Sequence, residues 1–403
     1  MDVLALLAGI VGGALSGLVP GLHNNTLTAA LMVSGLPAAF LVVVVIALAA
    51  SHQIFEFIPA IFLGVPDSET VVSVLPGHRL LLMGKGLLAL RLVAASCLFA
   101  LVISVAALPL VAAFLPAAYA ALEPWMFWVL LVAVGALLWT ERKPKLIAAA
   151  CLVFGLSGAL GALVLAVPFV TDPLLPALSG LFAISAALLA MSGRVKIPPQ
   201  QTADIDIKLR AFGPYILLGC ILGAVVGLLP GLGVAQAAVL ALIFVPVLSA
   251  QFLALVASIS ISNLVYGFAA LATIGKARSG AAVAVRDLLG TIDPSTLAFI
   301  IGIIVVSIAV SIVFLLLLAR PMLRAISTVD PLKLNAAVLL FLTALIWTLT
   351  GLVGLGIAGI AAAIGILPPL LGIRRTHGMG VILMPALIYF AGATSAFLAA
   401  VMG

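Results

Sequence analysis

Gly17-Leu18-Val19-Pro20-Gly21-Leu22 returns 210 positions later as Gly227-Leu228-Leu229-Pro230-Gly231-Leu232, and at the same offset Gly9 and Gly13 fall on Gly219 and Gly223. The shared pattern, Gly-x3-Gly-x3-Gly-Leu-x-Pro-Gly-Leu, is explained poorly by chance. Both copies lie in apolar stretches: no Asp, Glu, Lys or Arg occurs from Val3 to Phe55, or from Ala211 to Gly275, a run of 275 − 211 + 1 = 65 residues. One helical span needs about 20 apolar residues, so the second stretch alone is long enough for about three. Backbone groups in hydrocarbon must be satisfied within the segment, which makes such runs helical. A Pro-Gly pair inside one interrupts it, because Pro donates no N–H and Gly tolerates dihedrals that a helix forbids.

Composition excludes a soluble domain. Hydrophobic residues are 66% of the 403 positions, charged residues 7%, and the mean hydropathy is +1.44, against about 25% charge in soluble chains. The further apolar runs 92–122, 146–171, 294–319, 334–373 and 376–403 bring the expectation to about six or seven membrane segments per half, some too short or too broken to cross fully. The start, Met1-Asp2 followed by apolar residues, lacks the basic region of a secretory signal and reads as the first membrane segment. The formal charge of +6 resides at segment ends, where Lys and Arg orient a protein in the bilayer, and does not indicate nucleic acid. Cys97, Cys151 and Cys220 lie in apolar runs and read as small buried side chains. No cofactor is expected, and the nucleotide-binding Gly-x4-Gly-Lys-Ser/Thr motif is absent from the sequence.

The fold class is therefore an all-α polytopic membrane protein of two repeats: residues 1–193, a polar cytoplasmic linker 194–210, and residues 211–403. Charge bias predicts that the repeats are inverted. Arg142, Lys143 and Lys145 follow the segment ending near Trp139, whereas the matching turn near Thr350 is uncharged; Arg320, Arg324 and Lys333 occupy a turn whose counterpart near Glu123 has no basic residue. Basic residues accumulate on the cytoplasmic side, so equivalent turns fall on opposite sides. Arg79, Lys85, Lys276, Arg278 and Arg286 fit this less simply and leave two parallel halves as the competing arrangement. A second correspondence, Ser157-Gly158-Ala159-Leu160-Gly161 with Thr350-Gly351-Leu352-Val353-Gly354, extends the duplication along both halves.

Helix N-termini at mid-membrane expose N–H groups and partial positive charge, which suits an anion. On this ground the substrate-binding candidates are Pro20, Gly21, His23, Asn24, Asn25 and Thr26 at the first break, and Pro230, Gly231, Gly233 and Gln236 at the second. The competing reading is a pair of kinks with glycines for close packing. At the 210 offset Asp67 and Glu69 align with a segment holding Lys276, Arg278 and Ser279, which presents bases where the first half presents acids. Charges at membrane depth pair or contact substrate, which makes Lys276 and Arg278 candidates for an anion or for Asp67 and Glu69; interfacial loops are the plain alternative. His52 and Glu56 share a helix face and form a candidate proton relay, with a structural hydrogen bond as the favoured role for His52 and function left to Glu56. Glu56, Asp67, Glu69, Ser262 and Asn263 are the candidates for a coupling cation, Na+ or H+. Ser258, Ser260, Ser262 and Asn263 would equally serve as interhelical glue.

At these residues the chain resembles the TctA family, the large membrane subunit of tripartite tricarboxylate transporters, particularly its shorter archaeal-type members. The resemblance rests on the two Gly-Leu-x-Pro-Gly-Leu breaks, the Gly64–Leu90 segment with Pro66, Gly77 and Lys85-Gly86, the run Gly275-Lys276-Ala277-Arg278-Ser279-Gly280, and the late segment from Gly372 through Arg374, Arg375 and His377. It implies a multi-pass cell-membrane permease that imports carboxylates on an ion gradient, in bacteria with a small membrane subunit and a periplasmic binding protein. Asp67 and Glu69 stand where the bacterial permeases carry a neutral Pro-Gly-rich loop, and acids there repel a tricarboxylate. The reading is an ion-coupled permease for a small organic anion and not an enzyme. The alternatives are a polyprenyl-phosphate translocase and an intramembrane lipid-modifying enzyme. A monomer and a homo-oligomer are both compatible with the sequence.

Overall fold

A computed structural model describes residues 2–19, 22–62, 64, 74–166, 170, 172–192, 198–201, 209–245, 248–328 and 330–402. Among them every regular element is helical. The first half contains α1 (Val3–Leu18), α2 (Asn24–Met32), α3 (Ala38–Phe55) continued by α4 (Phe57–Phe62), α5 (Val74–Leu82), α6 (Gly86–Leu122), α7 (Met126–Trp139), α8 (Pro144–Ala166), α9 (Leu174–Leu178) and α10 (Ser185–Ser192), the last two joined by a π-helical turn, Ser179–Ile184. The second half contains α11 (Gly213–Leu228), α12 (Val234–Phe244), α13 (Ser249–Ile274), α14 (Gly280–Leu289), α15 (Pro294–Thr328), α16 (Pro331–Leu371), a 3-10 turn Arg375–Met379, α17 (Gly380–Phe390) and α18 (Thr394–Met402).

Among the described residues seven helices are long and apolar enough to cross a membrane, or up to eight if the pair 375–390 and 394–401, bent by 116°, is one span. The chain is thus a multi-pass membrane protein. The remaining segments are shorter because the interruptions shorten them: α1 and α11 have 16 residues each, α2 has 9 and α12 has 11.

Lipid provides no hydrophobic drive for helix association, so close packing of small residues carries it. Gly9, Gly13 and Gly17 of α1 lie on the backbone of α3; an added Cβ at Gly13 would meet Leu48 O, Ser51 Cβ and His52 N. Gly219 and Gly223 of α11 lie on α13 in the same way; a Cβ at Gly223 would meet Ile259 O, Ser262 Cβ and Asn263 N. The contacted residues are displaced by 211 positions. The later helices also pack reciprocally. A Cβ at Gly380 would meet Phe154 O and Ser157 Oγ, while one at Gly180 would meet Ala358 O and Ala361 Cβ; Gly161 abuts Val381 O and Gly365 abuts Leu181 O. Packing therefore pairs Ser157–Gly161 with Ala361–Gly365, an offset of 204, and not with Thr350–Gly354. Gly351 serves another purpose, since at φ 67°, ψ −163° it breaks α16, much as the α7–α8 turn divides the first half.

These helices build two apolar cores. One gathers α1, α3–α6, α11 and α13–α15; the other gathers α7–α9, the π-turn, α16 and α17. Both halves contribute to each core, and α3 and α13 are the helices most enclosed, with 83% and 94% of their apolar windows buried. α12 belongs to both cores, through Val234, Ala237, Ala238 and Ala241 on one side and Ala235 and Val239 on the other. Cys97 and Cys220 are buried against the Ala257 and Ala100 carbonyls, but Cys151 is exposed on α8, a correction to its expected burial. Of the linker, 198–201 is described: Gln200 accepts from Gly86 N–H and donates to Leu81 O, holding it on the α5–α6 turn. Residues 194–197 and 202–208 lie outside the described residues.

Candidate functional site

Both expected interruptions end a helix at the same place in the repeat. α1 stops at Leu18 with Val19 extended, and α11 stops at Leu228 with Leu229 extended. Pro20 and Gly21 lie outside the described residues. In the second copy Gly231 takes φ +76°, a region costly for side-chain-bearing residues, and a Cβ there would stand 3.0 Å from Ala386 Cβ of α17. The chain then re-enters a helix. Gly233 N–H donates to Gln236 Oε1 at 2.9 Å, and Gln236 is 0% exposed with its Nε2 unpartnered. In the first copy His23 caps α2, its Nδ1 accepting from Asn25 N–H at 3.2 Å. Asn24, Thr26 and Thr28 are buried, and Asn24 Oδ1, Asn25 Oδ1 and Thr28 Oγ1 have no partner. Spare hydrogen-bonding capacity at a helix N-terminus is what a polar ligand requires.

The segment between α13 and α14 connects the two interruptions. Arg278 donates through Nη2 to Leu228 O at 2.7 Å and through Nε to Gly227 O at 3.3 Å. These are terminal carbonyls of α11 that the helix itself leaves unsatisfied, and a cation there also meets the negative end of the helix dipole. Two residues on, Gly280 begins α14 against the Asn25 side chain of α2, so closely that a Cβ would overlap Asn25 Oδ1. Ser279 caps α14 by accepting from Ala282 N–H at 3.2 Å. One short segment therefore touches the end of α11 before the second break and the start of α2 after the first.

Lys276 lies 3.8 Å from Glu123 with both side chains about half exposed, a pairing of little energetic weight. Lys276 and Arg278 both lie over the Tyr119 ring, at 5.7 and 5.5 Å from its centroid. Burial lowers the Arg278 pKa and Tyr119 and Glu123 oppose that shift; a guanidinium stays protonated throughout. Asp67 and Glu69 lie outside the described residues.

A cleft of about 40 Å3, room for a few waters, opens at the first break between His23, Asn25 and Thr26 on one side and Asp172, Ser179 and Phe182 on the other. Thr26 Oγ1 donates to Asp172 Oδ2 at 3.2 Å. The cleft thus lies where α2 meets the π-turn, and such turns recur at functional sites. Behind it, the His23 and His52 rings are 5.8 Å apart, His52 Nδ1 is 2.8 Å from Ser16 Oγ, and His52 Nε2 is 3.7 Å from Glu56 Oε2. Ser16 Oγ also donates to Gly13 O. Having one proton, it then accepts from His52 Nδ1–H, which leaves Nε2 facing the carboxyl. Gln53 and Ser260 are hydrogen-bonded beside this pair. Ser104 Oγ donates to Ser262 Oγ at 2.7 Å, an α6–α13 tie, and Asn263 is half-buried where Gly223 packs.

Ser16, Gln53, Tyr119, Glu123 and Asp172 join the site although the sequence alone does not single them out. Ser16 and Gln53 are polar residues in a charge-free run, a signal that was present. Asp172 also accepts from Leu175 N–H at the start of α9, a local cap, but its place at the site comes from a contact 146 positions away.

Paired helix interruptions at the junction of two apolar cores, each core drawn from both halves, define a polytopic membrane transporter. The family model for the tripartite tricarboxylate transporter TctA family matches residues 3–380. The chain belongs to that family, a family of secondary-transporter permeases. It is also 30% identical over 342 residues to the uncharacterized protein MJ1079 of Methanocaldococcus jannaschii, covering 82% of this chain and 83% of that one. No solved structure gives a significant match.

Proposed function

We propose that the chain is an ion-coupled permease for a small organic anion such as a carboxylate, built from inverted repeats 1–193 and 211–403 around one central site. The observation that carries this reading is the segment Lys276–Gly280, which caps the end of α11 through Arg278 and abuts the start of α2 through Gly280. The anion sits against the N-termini of α2 and α14, with His23, Asn24, Asn25, Thr26 and Ser279 as ligands; Gly231, Gly233 and Gln236 shape the second break, and Arg278 holds the two breaks in register. Pro20 and Gly21 belong to the same site by sequence. Lys276 is placed at its exposed rim.

The coupling cation is Na+ or H+, and the His52–Glu56 pair behind His23 supports H+, since a carboxyl, an imidazole and a hydroxyl in series can pass a proton. Asp67, Glu69, Ser262 and Asn263 are the candidates for Na+. Family membership supports a permease over the lipid-phosphate translocase and the lipid-modifying enzyme that the sequence leaves open. It also supports assembly with a small membrane subunit and an extracytoplasmic binding protein.

The test is transport in proteoliposomes by the purified chain, alone and together with its small membrane subunit and binding protein, with a panel of carboxylates presented with and without a pH or Na+ gradient. Glu56→Gln is expected to lose gradient-driven accumulation while retaining exchange of labelled for unlabelled substrate. Accumulation that survives in Glu56→Gln would remove Glu56 from coupling, and no carboxylate transport under any gradient would remove the permease reading.

A further inference from the structure

We infer a second anion site, separate from the helix interruptions, that takes the phosphate headgroup of an anionic membrane lipid between Arg142 and Arg374. It lies where the α7–α8 turn, the α16–3-10 junction and the C-terminal end of α12 meet. A cavity of about 570 Å3 is lined there by Trp139, Thr140, Arg142, Leu242, Ile243 and Arg374. That volume is in the range of small-molecule sites.

The first argument is unspent positive charge. Neither Arg142 nor Arg374 has a carboxylate partner among the described residues, and Arg374 Nη1 is buried with no hydrogen-bond partner. That nitrogen is shut off from the cavity as well as from water, so the charge on offer is the rest of the two guanidinium groups lining it, and an oxyanion held there meets them with the planar fork geometry that arginine favours. The one acid in this turn, Glu141, is turned inward: its Oε1 lies 2.8 Å from His377 Nε2 and accepts Arg374 N–H at 3.0 Å. Its carboxylate fixes the Arg374 backbone and leaves the guanidinium free for something else.

The second argument is backbone strain. Arg142 is the non-glycine residue with positive φ, 59°, among the described residues. That conformation is uncommon for a residue with a long side chain and clusters at ligand clamps. Here it closes the turn after α7, where Arg142 N–H donates to Trp139 O at 3.0 Å, and glycine or asparagine would take it more readily than arginine.

The third argument selects a lipid over a free anion. The apolar wall continues outward as exposed surface, with Trp139 70% and Phe244 82% exposed and Ile243 beside them. Tryptophan next to basic residues at the end of a spanning helix marks the headgroup level of a bilayer. Basic pockets between spanning helices at that level suit phosphate headgroups. An acyl chain leaving the cavity would lie on Phe244 and Leu248, the latter 73% exposed. α12 forms one wall and joins both cores, so a lipid bound here would hold it from the membrane side.

The experiment follows thermal unfolding of the purified full chain in a neutral detergent, titrated separately with dihexanoyl phosphatidylglycerol, dihexanoyl phosphatidylcholine, inorganic phosphate and citrate. Phosphatidylglycerol is expected to raise the unfolding midpoint, because a ligand of the folded state stabilises it, phosphatidylcholine and phosphate to do so far less, and citrate, a candidate for the transport site, to act equally on the parent and on Arg142→Gly. Arg142→Gly, which suits the positive φ, and Arg374→Gln are each expected to weaken that stabilisation about tenfold or more. Lys143→Gln and Lys145→Gln, outside the cavity, are expected to leave it unchanged. Equal stabilisation by phosphatidylcholine, or an undiminished effect in Arg142→Gly, would overturn the site. Equal stabilisation by phosphate or citrate that Arg142→Gly also diminishes would overturn the lipid, whereas stabilisation by either that Arg142→Gly leaves intact belongs to the transport site. Should Arg374→Gln fail to fold, Arg142→Gly and the lipid preference of the unaltered chain still decide. None of these outcomes depends on transport, so a failed permease proposal and a failed lipid site are told apart.

Discussion

Replacing Arg278 by alanine removes the side chain that holds the end of α11 to the start of α14. Two hydrogen bonds are lost, one at 2.7 Å to Leu228 O and one at 3.3 Å to Gly227 O. Bonds to a charged donor contribute about 1.5–3 kcal/mol each, and the longer one lies at the weak end of the geometric range. With the contact to Tyr119 adding about 0.5 kcal/mol and partial exposure reducing the total, the expected loss is about 2–3 kcal/mol. Two helix-terminal carbonyls are then left without the guanidinium. The consequence for transport is expected to exceed the consequence for folding, because the segment that Arg278 anchors runs directly into Gly280, which abuts Asn25 at the proposed site. Uptake by Arg278→Ala in proteoliposomes, normalised to folded and inserted protein, is therefore expected to fall about tenfold or more, and Arg278→Lys to recover only part of it, since an ammonium lacks the planar fork. Thermal unfolding of the same preparations separates the two effects. Uptake at the normal rate in Arg278→Ala would refute the reasoning, whatever the change in stability.

A packing prediction and a pH prediction accompany it. Gly161→Ala places a Cβ on the Val381 carbonyl and is expected to destabilise the α8–α17 contact by about 1–3 kcal/mol, whereas Gly155→Ala, with nothing within 4 Å, should be neutral or stabilising by up to about 1 kcal/mol; equal unfolding midpoints for the two would contradict the packing. Asp293 accepts from Thr296 N–H at 2.6 Å at the start of α15, and hydrogen bonds from Thr296 and then Ser295 hold its pKa below the ordinary 3.8. Its folded pKa is depressed, so its contribution is present above the unfolded value and is lost as pH falls through the folded one. Asp293→Ala should therefore be less stable than the parent at neutral pH and progressively less different below about pH 4, and a deficit that does not shrink in acid would count against it.

The interruptions were legible because Pro-Gly in a charge-free run has few structural outcomes in hydrocarbon. Leu18 and Leu228 end their helices at the offset that the sequence displays. The later correspondence was misread for a physical reason. Matching by residue identity paired Gly158 and Gly161 with Gly351 and Gly354, but close helix contact needs only a small residue, and Ala361, Ala362 and Gly365 meet that need. Gly351 shares the identity and performs a turn. The meeting of Arg278 with Leu228 and of Gly280 with Asn25 was beyond sequence reasoning, since neither pairing has local periodicity or an opposite charge to announce it. His52 was legible as a partner of Glu56, four residues on, and not as a partner of Ser16, 36 residues before it.

The backbone is repeated more faithfully than its chemistry, and that difference bears on how such a carrier would work. At offsets of 210 to 211, Ser16 becomes Val226, His23 becomes Gly233, Asn24 and Asn25 become Val234 and Ala235, His52 becomes Asn263 and Glu56 becomes Gly267. Both copies keep a helix that stops at mid-length, a helix that restarts, and glycines seating the first on its neighbour. At these matched positions the side chains able to exchange protons, His23, His52 and Glu56, belong to the first copy. A repeated backbone gives inward and outward arrangements of similar energy, which alternating access requires. A ligand shifts such an equilibrium only by binding one arrangement more strongly than the other. In the proton-coupled form of the permease proposed above, protonation of the first copy supplies that difference, and the second copy, with no titratable group at the positions matching His23, His52 and Glu56, supplies matching geometry without a competing charge there.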